Sequence, residues 1–147
     1  MPEESISTRN IGINLKFPLR SYRRGFFEMN TTTLAAIRED IKILLLTKKG
    51  ERLINTDIGT NIPILAGQLF EPHDRDVLEE QIGAEVRGAL AAWMPYIKLR
   101  GLNVYSDVDA PPGYNVQRNQ ALVLMQYTLE NANGMSDSLA LNLDNPQ

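Results

Sequence analysis

His73 is the one histidine in the chain and there is no cysteine, so a histidine cluster, a thiolate metal site and a cysteine nucleophile are excluded. A Ser-His-Asp arrangement would have to use His73, which stands beside Pro72 at what reads as the entry to a helix, where an exposed setting is expected. Asp107 and Asp109 share a loop and could hold a hard cation, but a third ligand is missing from the pattern and paired carboxylates are common in turns. Paired acids can also cleave a glycosidic bond when they lie about 5–9.5 Å apart across a cleft. Glu51 with Asp57, or Glu71 with Asp74, are the candidates, yet with 18 acidic residues such pairs arise readily. Neither comes with the polar and aromatic cleft that would raise one carboxyl pKa. No glycine spacing suits a phosphate cradle. The sequence therefore predicts no catalytic residue, no metal and no cofactor.

The 147 residues, 43% hydrophobic and 22% charged, suffice for one compact domain and are too few for two ordinary ones. No apolar run approaches the roughly 20 residues that cross a bilayer, and Met1 to Ser7 lacks the basic and apolar pattern of a secretory signal. A soluble protein made in the cytosol, with no membrane partner, is expected. The net charge of −3 argues against general nucleic-acid binding. Its distribution is uneven: Met1 to Arg52 carries ten basic and six acidic residues, Leu53 to Gln147 five and twelve. Two unlike faces would give the molecule a direction in an assembly. Arg20, Arg23 and Arg24 with Tyr22, Phe26 and Phe27 could pair phosphates and stack bases, but three arginines in an acidic protein fit a protein contact or a solvated surface better.

The elements follow from periodicity. After a polar arm, Ile11, Ile13, Leu15 and Phe17 alternate with polar or small residues as in a half-buried strand, which Pro18 ends. Leu34, Ile37, Ile41, Leu44 and Leu45 form a helical stripe behind a capping threonine among Thr31 to Thr33. Ile43 and Leu46 lie off that stripe, which predicts burial on more than one side. Gly50 suits a left-handed stop after Lys48 and Lys49, and Leu53–Ile54 reads as a short strand. A helical piece over Ile64 to Phe70 precedes a longer helix, capped by Asp74 or Asp76, in which Leu78, Ile82, Val86, Leu90 and Trp93 recur, and which stops before Pro95. Ala84, Gly88 and Ala92 form a small-residue line that either meets another backbone or faces solvent. Ile97 to Tyr105 changes phase midway, as a bulge at Gly101 would explain. Ala121 to Glu130 and Ser138 to Leu143 are strands joined through an Asn133-Gly134 turn. The predicted fold is α+β: two main helices on a small antiparallel sheet, an N-terminal arm over 1–16, and a single domain over 17–147 closing in a β-hairpin.

Phe17-Pro18-Leu19, the run Leu45-Leu46-Thr47-Lys48-Lys49-Gly50-Glu51-Arg52, Asp57-Ile58-Gly59, Leu69-Phe70-Glu71-Pro72 and Trp93-Met94-Pro95-Tyr96-Ile97 together resemble the baseplate wedge and sheath-initiator proteins of contractile phage tails. That family, long labelled "lysozyme-like", includes a type VI secretion baseplate component. The resemblance spans about Ile11 to Glu130. It implies a structural, non-enzymatic part of the virion's tail baseplate, assembled in the host cytoplasm. The implied partners are wedge proteins and the tail sheath, with tube or hub proteins as further neighbours. It points to Arg52, Glu71, Trp93, Met94, Pro95 and Tyr96 as the wedge contact. It also points to the strand of Leu139, Leu141 and Leu143 as the sheath-facing element, joined by strand exchange. The family's Glu-Pro-Arg is replaced here by Met94-Pro95-Tyr96, so an apolar contact with Met94 and Tyr96 as anchors is expected. Removing the residues after Asn133 is expected to leave a folded domain. The rival reading from the label is a peptidoglycan hydrolase.

Overall fold

The computed structural model describes residues 13–21, 27–68, 75–106, 108–117, 120–130 and 134–144. The chain divides into two compact units, Met1–Ile41 and Lys42–Gln147.

In the first unit, β1 (Asn14–Leu15) pairs antiparallel with β2 (Met29–Asn30). The predicted strand is thus far shorter than its alternation suggested, and Ile13, Leu15 and Phe17 stay exposed. Amide side chains fasten this ribbon instead of an apolar face. Asn14 Nδ2 donates to Ala36 O at 3.2 Å and Asp40 Oδ1 at 2.9 Å, while Asn30 Nδ2 donates to Asn14 Oδ1 at 2.7 Å. Partial burial of its carboxyl raises the Asp40 pKa; the Asn14 bond opposes the shift and the charge of Glu39 adds to it. The helix α1 (Thr33–Leu46) follows, its first turn capped by Thr32 Oγ1, which accepts from Ala35 N at 3.2 Å. Ala36, Ile37, Ile41, Leu44 and Leu45 are buried, whereas Ile43 and Leu46 are exposed. The expectation of burial on several sides fails: α1 has one inward stripe.

The second unit begins within α1. Thr47 N and Oγ1 both donate to Ile43 O, and Thr60 Oγ1 donates to Leu45 O at 2.7 Å, so the helix end is satisfied without a glycine cap. Gly50 does take a positive φ, +83°, but in the turn beyond. Leu53–Ile54 is no strand. The segment closes on itself through Gly50 N to Thr56 O at 2.8 Å and Thr60 N to Thr47 O at 2.8 Å, and the pair lies in the exposed loop between these ties. At Gly59, φ +130°, an added Cβ would come within 2.5 Å of Thr47 O, so the chain passes there only as glycine.

Helix α2 (Ile62–Gln68) starts two residues before its predicted start, and the last two predicted positions, Leu69 and Phe70, lie outside the described residues. Asn61 leads into it, and Glu85 grips Asn61 from α3 (Arg75–Trp93), accepting from its backbone N at 3.0 Å and Nδ2 at 3.2 Å. Ile82, Val86, Ala89 and Leu90 form the buried stripe of α3. Ala84, Gly88 and Ala92 are exposed, with open space beside Gly88; Gly83 lies under the Arg87 side chain. Within this chain the small-residue line faces solvent.

Strands β3 (Ile97–Tyr105), β4 (Gln120–Leu129) and β5 (Ser136–Asp144) form an antiparallel sheet in the order β3-β4-β5. The predicted bulge is present: register shifts between Leu99 and Gly101, restoring Leu102 and Val104 to the inner face. Helix α3 packs along β3, and α2 packs against α3 and β5. Val123, Met125, Tyr127 and Leu129 of β4 are buried with Leu139, Leu141 and Leu143 of β5. Those three leucines pair across the ladder with Met125, Val123 and Ala121, all buried, so β5 covers part of the core that β4 presents.

Candidate functional site

Two features of the second unit hold the residues that the sequence singles out. The first is the turn from α3 into β3. Met94 N donates to Leu90 O at 2.8 Å, Ile97 N to Met94 O at 3.0 Å, and Glu130 N to Tyr96 O at 3.0 Å. These bonds fix the turn at one end of the sheet, and Pro95 fits because no bond there needs its N–H. Met94, four residues after Leu90, continues the buried stripe and is 6% exposed, whereas Trp93 is 42% exposed. The stripe predicted to run through Trp93 runs through Met94 instead: steps of three and four both continue a helical stripe, and here the last step is four. Pro95 is exposed and Tyr96 half-buried. Beside the turn, Arg87, Leu90, Ala91, Pro95, Lys98 and Leu99 line a groove of about 260 Å³. Its lining is mostly apolar, with the two cations Arg87 and Lys98 among it. Lys98 Nζ lies 3.7 Å from Glu130 Oε1, an exposed pair of little energetic weight.

The second feature is the outer edge of β5. Leu129 N donates to Met135 O at 3.0 Å, and hydrogen-bonded pairs alternate along an antiparallel ladder. Carried through the register, Tyr127↔Asp137, Met125↔Leu139, Val123↔Leu141 and Ala121↔Leu143 are the bonded pairs. The backbone groups of Ser136, Ser138, Ala140 and Asn142 therefore point away from β4. Ser138 N–H donates to Asp137 Oδ1 at 2.8 Å, which agrees with that direction. On the opposite edge, β3 carries a bulge, Lys98 and Arg100, the usual devices that blunt an edge. From Ser138 to Leu143, β5 has no charge and no proline, and its register with β4 is unbroken.

Comparison with known proteins bears on the segment from α1 through β4. The family model for baseplate wedge protein gp25 matches residues 31–134. The chain belongs to the gp25 baseplate wedge family. This is a family of structural baseplate proteins. The crystal structure of a protein assigned as a tail lysozyme from Geobacter sulfurreducens superposes with a TM-score of 0.61 at 20% identity, covering 79% of this chain and 94% of that one. At that identity the likeness is one of fold. No curated protein matches.

The remaining predicted residues of this gp25-family chain fall as follows. Arg52 is exposed in the loop after α1. Glu71, His73 and Asp74 lie outside the described residues, as do Tyr22, Arg23, Arg24, Phe26 and Asp107. Glu51 is exposed, and its Oε2 accepts from Lys48 N at 3.1 Å. Asp109 Oδ1 accepts from Ser106 N at 2.7 Å and Ser106 Oγ at 3.0 Å, which makes it a loop tie. Among the described residues no three acidic or histidine side chains gather as a metal site, and no helix is long and apolar enough to cross a membrane. The leucines of β5 point inward, and its outward groups include the backbone of Ser138, Ala140 and Asn142. Sequence reading missed these three, although strand parity is a signal that finds them once one ladder bond is known.

Proposed function

We propose that the protein is a structural component of a contractile-tail baseplate that binds inner wedge subunits and starts sheath assembly by offering the β5 edge for strand exchange. It works in the virion tail, with wedge proteins and sheath as partners and tube or hub proteins as further neighbours, and it is not an enzyme. The observation that carries this reading is the contrast between the two sheet edges. Residues Ser136, Ser138, Ala140 and Asn142 aim their backbone groups outward along an unbulged strand, while β3 is bulged and cationic. An incoming strand can pair with β5 by main-chain bonds, with side-chain alternation fixing register. The wedge contact is assigned to Trp93, Pro95 and Tyr96 with the adjoining groove. Met94 supports them from beneath, and Arg52 and Glu71 complete the set named by the family resemblance. The apolar turn and its neighbours Arg87 and Lys98 suit a wedge surface that presents apolar and acidic side chains.

The hydrolase reading has little support beyond the name of the Geobacter structure. Glu51 is exposed and its Oε2 is tied to Lys48 N, so it stands in no enclosed cleft of the kind that acid catalysis on a sugar needs.

The test is Ala140→Pro, which removes an outward N–H and leaves the β4 ladder intact, beside Ala140→Thr, which keeps it. Baseplates carrying Ala140→Pro are expected to assemble but not to grow sheath, while Ala140→Thr baseplates grow it normally. Normal sheath on Ala140→Pro baseplates would refute strand exchange at this edge.

A further inference from the structure

Leu53 is 100% exposed and Ile54 80%, two adjacent aliphatic residues turned to solvent. Single exposed apolar residues are unremarkable, but these two sit on a built stem. Gly50 N donates to Thr56 O at 2.8 Å and Ile58 N to Asn55 O at 3.1 Å; Lys49 N donates to Thr60 O at 3.2 Å. Asn55 adopts the left-handed region at φ 55° to close the tip, and the buried Thr60 bonds the base of the loop to Leu45 O. A tip held in this way loses little conformational freedom on docking. Around it stand three exposed cations, Lys48, Lys49 and Arg52; of the two anions, Glu51 is turned back onto Lys48 N, leaving Asp57.

We propose that the loop over residues 50–56 is a docking knob, in which Leu53 and Ile54 enter an apolar socket rimmed by Asp and Glu on another baseplate protein. The proposal rests on family membership and not on strand exchange at β5. Charge complementarity selects the partner. The groove of this chain has Arg87 and Lys98 in its lining, so a second copy would set cation against cation. A membrane is disfavoured because one myristoyl chain binds only marginally, and two aliphatic side chains bury less. Nucleic acid is disfavoured because the tip has no ring to stack on a base.

The test uses the double variant L53S/I54S and Arg52→Glu in baseplates assembled from the full set of subunits, with a photo-crosslinking residue at position 53 in otherwise native protein. Because both side chains are exposed, the double variant is expected to keep the native melting temperature. It is expected to lose at least tenfold in affinity for the assembling baseplate. Arg52→Glu is expected to lose severalfold, more at low salt than at high. The crosslink is expected on a peptide of another subunit that has apolar residues next to Asp or Glu. Native-like incorporation of L53S/I54S would overturn the proposal. So would a crosslink confined to a second copy of this chain, or binding to phosphatidylcholine–phosphatidylglycerol vesicles that the double variant abolishes. Failure of strand exchange reads differently, as normal incorporation without sheath.

Discussion

Tyr127 and Asp137 face each other across β4 and β5, and the Tyr127 hydroxyl donates to Asp137 Oδ2 at 2.9 Å. The other oxygen of the same carboxylate accepts from Ser138 N at 2.8 Å. A residue buried in the sheet thus orients the carboxylate that occupies the outward donor of Ser138 on the β5 edge. Beyond it, Ala140 and Asn142 carry outward donors of their own.

Removing that hydroxyl tests the link. Tyr127→Phe is expected to cost about 1 kcal/mol, lowering the melting temperature by about 2–4 °C. Asp137→Ala is expected to cost a similar amount and, in addition, to speed hydrogen exchange at Ser138. Exchange at Ser138 unchanged in Asp137→Ala would show that the carboxylate does not occupy this donor.

Trp93 and Met94 separate binding from folding at adjacent positions. Met94→Ala should destabilise the fold by about 2–5 kcal/mol, measured by denaturant unfolding. Trp93→Ala, half exposed, should change stability by under about 1 kcal/mol and weaken binding to purified wedge subunits by about 2 kcal/mol or more. Equal effects of the two on folding would place Trp93 in the core instead.

Two glycines predict opposite signs. Gly59→Ala sets a Cβ against Thr47 O at a positive φ and should destabilise by at least about 1–3 kcal/mol. Gly88→Ala has open space and should stabilise by up to about 1 kcal/mol. If Gly88→Ala instead impairs baseplate incorporation without loss of stability, a partner backbone covers that face.

Helices α1 and α3, the three-stranded sheet and the bulge at Gly101 were legible because period and breakers agree there: Thr32 at one helix start, Pro95 beyond another's end, alternation through β4. Legibility failed where a local pattern depends on distant partners. Leu53–Ile54 looks like a strand by composition, but the ties from Gly50 to Thr56 and from Thr47 to Thr60 leave it in a loop. The alternation from Ile13 to Phe17 lacks an apolar surface to pack on, and amide bonds from Asn14 and Asn30 hold the ribbon instead. At the site, the turn after α3 was found through a motif, yet which of Trp93 and Met94 turns inward depends on the last helical turn. The strand of Leu139, Leu141 and Leu143 is legible as an amphipathic strand, but which of its backbone groups turn outward depends on its register with β4.

The central claim is that β5 accepts a strand through Ala140 and Asn142. Amide hydrogen exchange, read residue by residue on free protein and on baseplates before and after sheath assembly, tests it most directly. Leu139 and Leu141, already bonded to β4, should exchange slowly throughout, and Ala140 and Asn142 should exchange fast until sheath docks and then slow by at least tenfold. Fast exchange at Ala140 and Asn142 in fully sheathed particles would contradict the account.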